Sequence, residues 1–385
     1  MKILHVIPSV NPAGGGPIEG VQQLHQPMLT MGHTVDVVCL DDPSAPWLAN
    51  TRLSKVLALG PAKLGYAYTP KLEPWLRQHA SDYNAVIVNG LWQYNSFAVW
   101  RALARTDIPY FVFTHGMLDP WFKHTYPLKH LKKWLYWPWA EYRVLRDARA
   151  VIFTCEEERL LARQSFWLYK ATEAVTAYGT DTPPQEVEDL SALFLNQFPT
   201  CKGKRIALFL SRIHEKKGCD LLIEAFAKAA SLDPSLHLVM AGPDQTGSAG
   251  KLKVQVNRLG LADRVTWTGM IQGDLKWGAF RAAEVFCLPS HQENFGIVVA
   301  EALACGKPVL ISDKVNIWRE IAQDHAGFVA SDDLPGTVNN LERWLALTPQ
   351  EYADMSARAK SCFYAHFHIQ RAAERLVDII QEHSH

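Results

Sequence analysis

Several features that define particular classes of protein are missing from this sequence of 385 residues. Its 39 Lys and Arg residues balance its 39 Asp and Glu residues, so no overall positive field recruits nucleic acid. The seven cysteines are scattered without a Cys-x2-Cys pair, which argues against a disulfide framework and against a zinc site. We therefore expect reduced thiols and no nucleic-acid partner.

Long apolar runs are also missing. No stretch of about 18 apolar residues occurs, so no membrane-spanning helix is expected. Residues 1–8 lead directly into a strand pattern, without the long apolar segment of a signal peptide. The sequence thus predicts a cytoplasmic protein.

Short apolar runs, by contrast, alternate with helical patterns along the whole chain. This alternation predicts parallel sheets covered by helices on both faces. A polar, proline-containing break at residues 182–186 separates two series of strands, so we predict an α/β protein of two doubly wound domains. The predicted strands are 3–7, 34–40, 85–89, 110–113, 151–154 and 174–177, then 206–211, 236–241, 264–267, 284–288, 308–311 and 327–330.

The most informative segment is Pro289-Ser-His-Gln-Glu293-Asn-Phe-Gly296, which follows an apolar strand and precedes an apolar helix. It places Glu293 on the loop and Glu301 about one turn into the helix. Free N–H groups at a helix N-terminus bind phosphate, and a carboxylate on each side can hold hydroxyls. This combination suits a nucleotide-sugar. Bare spacing would favour the alternative of a helix-capping Glu and an exposed helical Glu.

The Glu-x7-Glu element, with Pro-Ser before it and Phe-Gly inside it, resembles the retaining glycosyltransferases of family 4, which have the GT-B fold. The resemblance implies two Rossmann-like domains facing a cleft. The last helix would cross back onto the first domain, giving residues 1–182 plus 366–385 on the acceptor side and 183–365 as the donor domain. The resemblance implies that Glu293 is a catalytic residue that holds sugar hydroxyls. It implies substrate binding by the main chain of Asn294, Phe295, Gly296 and Ile297, which would hold sugar and phosphate, and by Glu301, which would hold the ribose hydroxyls.

A basic turn follows the first strand of the second series. Its sequence, Ser211-Arg212-Ile-His-Glu-Lys-Lys217-Gly218, resembles the family's Arg-x4-Lys-Gly motif. The resemblance implies that Arg212 and Lys217 stabilise the departing diphosphate, since fixed cations lower the cost of developing charge. A solvated basic turn is the alternative. Because no Asp-x-Asp occurs, the metal clamp of the other large glycosyltransferase fold is missing, and we expect metal-independent chemistry.

Two loops of the first half also follow strands. The run Gly14-Gly15-Gly16 allows a ligand to approach the backbone closely, and the resemblance implies that Gly15 and Gly16 face the donor diphosphate. A flexible loop is the alternative. His115 looks like the family's active-site histidine, which would contact the donor sugar near its C6 hydroxyl.

Three further loops carry weaker signals. By resemblance, the main chain around Met270 would read the nucleotide base, and residues 89–92 would lie near the acceptor. A buried Trp92 is the stronger alternative for the latter loop. Residues 178–181 match the family's inter-domain turn only in part, because an Asn usually precedes Gly179.

The resemblance implies transfer of a sugar from a nucleoside diphosphate donor to an acceptor hydroxyl, with retention at the anomeric carbon and no cofactor. UDP-glucose is the best guess for the donor, and envelope or exopolysaccharide synthesis is the expected context. A nucleotide-sugar epimerase and a non-catalytic nucleotide-sugar binding protein remain alternatives. A dinucleotide-dependent oxidoreductase would need a glycine where Glu19 stands. A phosphorylase would need a pyridoxal phosphate lysine, which cannot be identified.

Residues 123–139 mix lysines, leucines and aromatic residues. Basic aromatic segments of this kind can lie on anionic membranes. We therefore consider peripheral contact with the inner membrane face, where a lipid-linked sugar acceptor would be presented. A core-packing aromatic helix with a solvated basic face is the alternative.

Overall fold

A computed structural model of the chain describes residues 1–63, 65–184 and 189–384. These residues form two compact units, Met1–Gly179 with Ile369–His385, and Thr180–His368. The break predicted at residues 182–186 lies partly outside the described residues, which resume at residue 189.

The first unit contains a seven-stranded parallel sheet in the order β3-β2-β1-β4-β5-β6-β7. Its strands are β1 (Lys2–Ile7), β2 (Thr34–Cys39), β3 (Val56–Ala58), β4 (Ala85–Asn89), β5 (Tyr110–Phe113), β6 (Ala150–Phe153) and β7 (Glu173–Val175). Its helices are α1 (Gly16–Thr30), α2 (Leu72–His79), α3 (Tyr94–Leu103), α4 (Trp121–Thr125), α5 (Pro127–Tyr136), α6 (Glu141–Asp147), α7 (Glu156–Ala162) and the last helix of the chain, α16 (Ile369–His383).

The second unit contains a six-stranded parallel sheet in the order β10-β9-β8-β11-β12-β13. Its strands are β8 (Arg205–Leu210), β9 (Leu236–Ala241), β10 (Val265–Gly269), β11 (Val285–Leu288), β12 (Val309–Ser312) and β13 (Gly327–Ala330). Its helices are α8 (Leu190–Gln197), α9 (Cys219–Leu232), α10 (Ser248–Arg258), α11 (Gly273–Ala282), α12 (Ile297–Ala304), α13 (Trp318–Gln323), α14 (Leu334–Leu345) and α15 (Pro349–Cys362).

Two doubly wound parallel sheets confirm the predicted fold class. All twelve predicted strands occur within two residues of their expected bounds. Strand β3 was not predicted, because this edge strand has only three residues and none of them is buried.

Each unit has its own apolar core. In the first unit α16 packs against α1 and the sheet, and it buries Ala372, Leu376 and Ile380 on one face. The strands of the second unit bury nearly continuous apolar runs, as expected for parallel strands covered on both faces. Among the described residues, no helix combines the length and the apolar character needed to cross a membrane.

Candidate functional site

Both sheets have a topological switch point, where neighbouring strands send their connections to opposite sides. In the second unit β8 and β11 are these neighbours, and in the first unit they are β1 and β4. Ligands of open α/β sheets bind beyond the carboxyl ends of such strands. The loops that carry the Arg-x4-Lys-Gly motif and the first Glu of the Glu-x7-Glu element leave β8 and β11, so the fold of the second unit brings the two motifs together.

The two loops fit closely against each other. Gly218 has a φ of +63°, and a Cβ at this position would lie 2.1 Å from the carbonyl oxygen of Pro289. The main-chain oxygen of Lys216 accepts hydrogen bonds from the His291 amide (2.7 Å) and from the Ser290 hydroxyl (2.9 Å). The glycine of the motif is therefore required by this contact as well as by the turn.

Lys217 and Glu293 form an ion pair across these loops. The side chain of Lys217 is 8% exposed and that of Glu293 is 21% exposed, so water screens the pair only weakly. The Glu293 amide donates to the Lys314 carbonyl (2.9 Å), and the Glu293 carbonyl accepts from the Asn316 amide (3.0 Å). The Lys217 amide donates to the His214 carbonyl (2.9 Å), so backbone hydrogen bonds hold both residues of the pair.

The ion pair lies at the N-terminus of α12. Gly296 caps this helix with a φ of +73°, and a Cβ there would lie 3.1 Å from the Cγ of Glu293. Amide groups in the first turn of a helix have no partner within the helix, and the helix dipole favours an anion beside them. A buried cation, a carboxylate and a helix N-terminus therefore meet at one place.

Glu301 forms a second ion pair, which the sequence analysis missed. Its Oε1 lies 2.7 Å from the Nζ of Lys276 in α11, and Glu301 is nearly buried. Lys276 gave no signal in the sequence because it stands alone in an amphipathic helix, outside any motif. The pair fixes the Glu301 carboxylate at the side of α12 that faces α11.

The other predicted residues of the second unit take no part in the two ion pairs. Arg212 is exposed, and its Nη1 lies 3.5 Å from Gln245. Met270 is exposed on the loop after β10. Phe295 is buried and packs against Phe367, so any ligand contact at this position falls to its main chain. The neighbouring Asn294 and Ile297 are partly buried.

In the first unit His115 lies after β5 with a φ of +51°. Its ring stacks on Phe113, with centroids 4.7 Å apart, and its Nδ1 is hydrogen-bonded to the hydroxyl of Tyr178. Its Nε2 lies 3.2 Å from the Oδ1 of Asn89, which in turn places its Nδ2 3.1 Å from the Nδ1 of His5. Burial, together with the charge of nearby His5, lowers the pKa of His115 to about 3, so this imidazole is neutral at physiological pH.

Glu158 fixes the backbone around His115. Its Oε1 accepts from the Thr114 hydroxyl (2.6 Å) and the Gly116 amide (2.5 Å), and its Oε2 accepts from the Thr154 amide (2.7 Å) and hydroxyl (2.6 Å). This buried carboxylate ties the loop after β5 to the end of β6. This role of Glu158 was not predicted from the sequence. Glu158 lies in an acidic first helical turn, Glu156-Glu157-Glu158, and such a turn usually faces solvent.

In the glycine-rich loop, residues 14–16, the backbone conformation is the feature that bears on a ligand. Gly15 has a φ of +77° and caps α1, and both Gly15 and Gly16 are exposed with open space where a Cβ would lie. Gly20, one turn into α1, is the constrained position. A Cβ there would lie 2.0 Å from the ring of Tyr178, the residue that holds His115.

The described residues include one group with the side chains of a metal site, Asp324, Cys362 and His366, whose donor atoms lie within 4.8 Å of one another. The Nε2 of His366 lies 3.1 Å from the Oδ2 of Asp324.

The low pKa values predict acid-sensitive stability of the first unit. Burial lowers the pKa of His5 to about 4, below the unfolded value near 6.5, so the unfolded chain binds more protons between these pH values. The stabilisation is complete above pH 6.5 and is lost as the pH falls toward 4. We expect His5 to contribute a slope of about 1.4 kcal/mol per pH unit in this window. Urea unfolding at pH 7.0, 6.0 and 5.0 should show a shallower pH dependence for His5→Gln, and an unchanged slope would contradict the assignment.

Two family models match the chain, each over one unit. The model described as the glycosyl transferase 4-like domain matches residues 15–179, and the model described as glycosyl transferases group 1 matches residues 194–361. Together they match most of the chain.

Curated relatives match over shorter segments. Mannosylfructose-phosphate synthase of Agrobacterium fabrum is 33% identical over 142 residues, which are 35% of this chain and 31% of that protein. D-inositol 3-phosphate glycosyltransferase of Gordonia bronchialis is 30% identical over 224 residues, which are 53% of this chain and 48% of that protein. The chain thus spans less than half the length of these relatives.

Solved structures match over the full length. Anabaena HepE aligns with a TM-score of 0.78 and 20% sequence identity, covering 99% of this chain and 100% of that chain. At this identity the likeness shows the fold, which is that of the GT-B glycosyltransferases. The chain belongs to the group 1 glycosyl transferases of the family 4 type.

Proposed function

We propose that this protein transfers a sugar from a nucleoside diphosphate donor to an acceptor hydroxyl, with retention at the anomeric carbon. The observation that carries the proposal is the Lys217–Glu293 ion pair at the N-terminus of α12, beyond the switch point of the second sheet. This place offers a buried cation and a helix dipole for a diphosphate, and a carboxylate for sugar hydroxyls.

The proposed donor is a UDP-linked sugar, with glucose as the first choice. Structures of HepE in complex with UDP and with UDP-glucose support this choice, since HepE shares the fold over the whole chain. The exposed Met270 loop would read the base through main-chain groups. Glu301, oriented by Lys276, would accept hydrogen bonds from the ribose hydroxyls.

The proposed chemistry takes place on one face of the sugar. As the bond from the anomeric carbon to the phosphate oxygen breaks, the diphosphate gains negative charge, which Lys217 and the amides of α12 would stabilise. Arg212, which is exposed and makes a long contact to Gln245, would turn toward the phosphate. A diphosphate oxygen would then accept the proton of the acceptor hydroxyl, and the acceptor oxygen would bond to the anomeric carbon from the same side.

His115, which is neutral because its pKa is about 3, would meet a sugar hydroxyl through its Nε2. The Nε2 would exchange its contact with Asn89 for the ligand, while Tyr178 holds the Nδ1 of the ring. The acceptor would be a sugar or a lipid-linked sugar of envelope or exopolysaccharide synthesis.

Calorimetric titration with UDP, GDP and ADP, in buffer containing a metal chelator, tests the donor site directly. We expect UDP to bind at least about tenfold more tightly than GDP or ADP, a difference of about 1.4 kcal/mol. UDP-glucose should then be consumed only when an acceptor is added, and proton NMR of the product should show the anomeric configuration of the donor. Binding of none of the nucleotides would contradict the proposal, and consumption of UDP-glucose to a new UDP-sugar without acceptor would identify an epimerase instead.

A further inference from the structure

The helix α5 exposes an apolar stripe. All ten of its residues are described and none is buried, although half of them are apolar or aromatic. Leu128, Leu131 and Leu135 follow the i, i+3, i+7 spacing of one helix face and are 78%, 55% and 62% exposed. Contiguous apolar surface of this kind on a folded protein marks a place of contact with another partner.

The opposite face of α5 is firmly packed, so the stripe has a fixed orientation. The hydroxyl of Tyr136 is hydrogen-bonded to that of Tyr66. The Nζ of Lys133 lies 4.5 Å from the ring centroid of Trp92, and the ring of His130 stacks on that of Phe166 at 4.9 Å. These contacts hold α5 in place, and its three leucines lie on the side of the helix away from them.

Basic residues flank the stripe and acidic ones are missing. Residues 121–140 contain four lysines and no Asp or Glu. Lys129 and Lys132 are exposed on α5. The helical repeat places Lys132 beside Leu128 and Leu135 at one edge of the stripe, and Lys129 beside Lys132. The charge of this surface fits a partner that is both apolar and anionic.

A groove runs along the other edge of the stripe. Its volume is about 890 Å³, and Trp134 and Trp167 lie on it with ring centroids 6.4 Å apart. Trp167 and, beyond α5, Trp139 are about 70% exposed. Exposed tryptophans are typical of protein surfaces that lie at the boundary between headgroups and hydrocarbon. Apolar and aromatic side chains that line the groove are Pro127, Leu131, Trp134, Phe166 and Trp167, with Lys123 and Arg163 among its polar ones.

We propose that the exposed face of α5 is a docking surface for an anionic lipid bilayer. The leucine stripe and the tryptophans enter the interface, the lysines contact anionic headgroups, and the groove receives part of a lipid chain. This membrane surface rests on the proposed function, because a lipid-linked acceptor would be anchored in a bilayer.

Cosedimentation with vesicles tests the surface. Wild-type protein should bind vesicles of phosphatidylglycerol and phosphatidylcholine at least about tenfold more tightly than vesicles of phosphatidylcholine alone, and 0.5 M salt should weaken the binding. The variant Leu128→Gln/Leu131→Gln/Leu135→Gln should lose at least about tenfold in binding, and Lys129→Gln/Lys132→Gln should lose the preference for the anionic lipid. Because these side chains are exposed, the variants should fold.

The matched control is Leu193→Gln/Leu232→Gln/Val254→Gln, which removes three exposed apolar residues from helices of the second unit. It should bind vesicles as the wild type does. Equal loss in control and test variants, or no binding by the wild type at low salt, would overturn the proposal. A second copy of the chain could cover this face instead of a bilayer, and sedimentation velocity tests for that dimer. A dimer that only the leucine variant abolishes would make this face an interface between two copies.

Nucleotide titration of the same variants separates the two proposals. The α5 variants should bind UDP with wild-type affinity, because α5 belongs to the first unit and the proposed nucleotide site is built from residues of the second. Protein that binds UDP but no vesicles would overturn the membrane surface alone. Protein that binds vesicles but no nucleotide would overturn the proposed function alone.

Discussion

Replacing Lys217 by Ala should lower kcat for sugar transfer by about 10- to 150-fold, equivalent to about 1.5–3 kcal/mol. The ammonium of Lys217 is nearly buried, and it lies against the Glu293 carboxylate at the N-terminus of α12. Its interaction with the diphosphate should strengthen as the leaving group gains charge, so the loss should appear in kcat more than in KM. Steady-state kinetics with UDP-glucose and a competent acceptor gives both constants.

Lys216→Ala is the matched control, because it removes a lysine from the same turn and keeps the carbonyl that holds Ser290 and His291. It should retain most of the activity. Glu293→Gln and the double variant complete a cycle that measures the coupling of the pair. If Lys217→Ala were as active as the wild type, Lys217 would have no part in the mechanism.

The fold was predictable because its strands are short buried runs between helical patterns. Strands such as β4, with five buried residues, leave a clear apolar signal. The edge strand β3 has no buried residue, and so its three residues resemble a loop. The two-unit organisation follows from repetition of the same pattern along the chain.

Separate sequence motifs predicted individual residues of the site, but no motif predicted the contacts between them. Lys217 and Glu293 are 76 positions apart, and only the adjacency of β8 and β11 makes them an ion pair. Lys276 belongs to no motif, so only the three-dimensional structure reveals it as the partner of Glu301.

Two missed residues differ in how far the sequence could have revealed them. Gly20 interrupts a helical pattern, which is a signal of close approach, and its approach is to the ring of Tyr178. Glu158 gives no such signal, because a glutamate in the first turn of a helix usually faces solvent. The four hydrogen bonds described above come from two segments, Thr154 nearby and residues 114–116, which lie more than 40 positions away along the sequence.

Replacing Glu301 by Ala should weaken the binding of free UDP by about 10- to 150-fold, the scale of hydrogen bonds to a charged group. The carboxylate is nearly buried and is fixed by Lys276 at 2.7 Å, so it is preorganised to accept from ribose hydroxyls without losing side-chain freedom on binding. The variant also leaves the Lys276 ammonium without this partner. Isothermal calorimetry measures the affinity, and Glu342→Ala, which removes an exposed glutamate from α14, should bind UDP as the wild type does.

A nucleotide that lacks one ribose hydroxyl makes the Glu301 prediction specific. If Glu301 binds the ribose, 2′-deoxy-UDP should bind the wild type more weakly than UDP, whereas Glu301→Ala should hardly distinguish the two ligands, since the acceptor of that hydrogen bond is gone. Lys276→Ala should fall between wild type and Glu301→Ala, because it frees the carboxylate without removing it. If Glu301→Ala bound UDP unchanged, the role of Glu301 would be limited to its ion pair between α11 and α12. The nucleotide would then be held by the helix N-terminus, Lys217, Arg212 and the Met270 loop, and Lys217→Ala should weaken UDP binding as well as turnover.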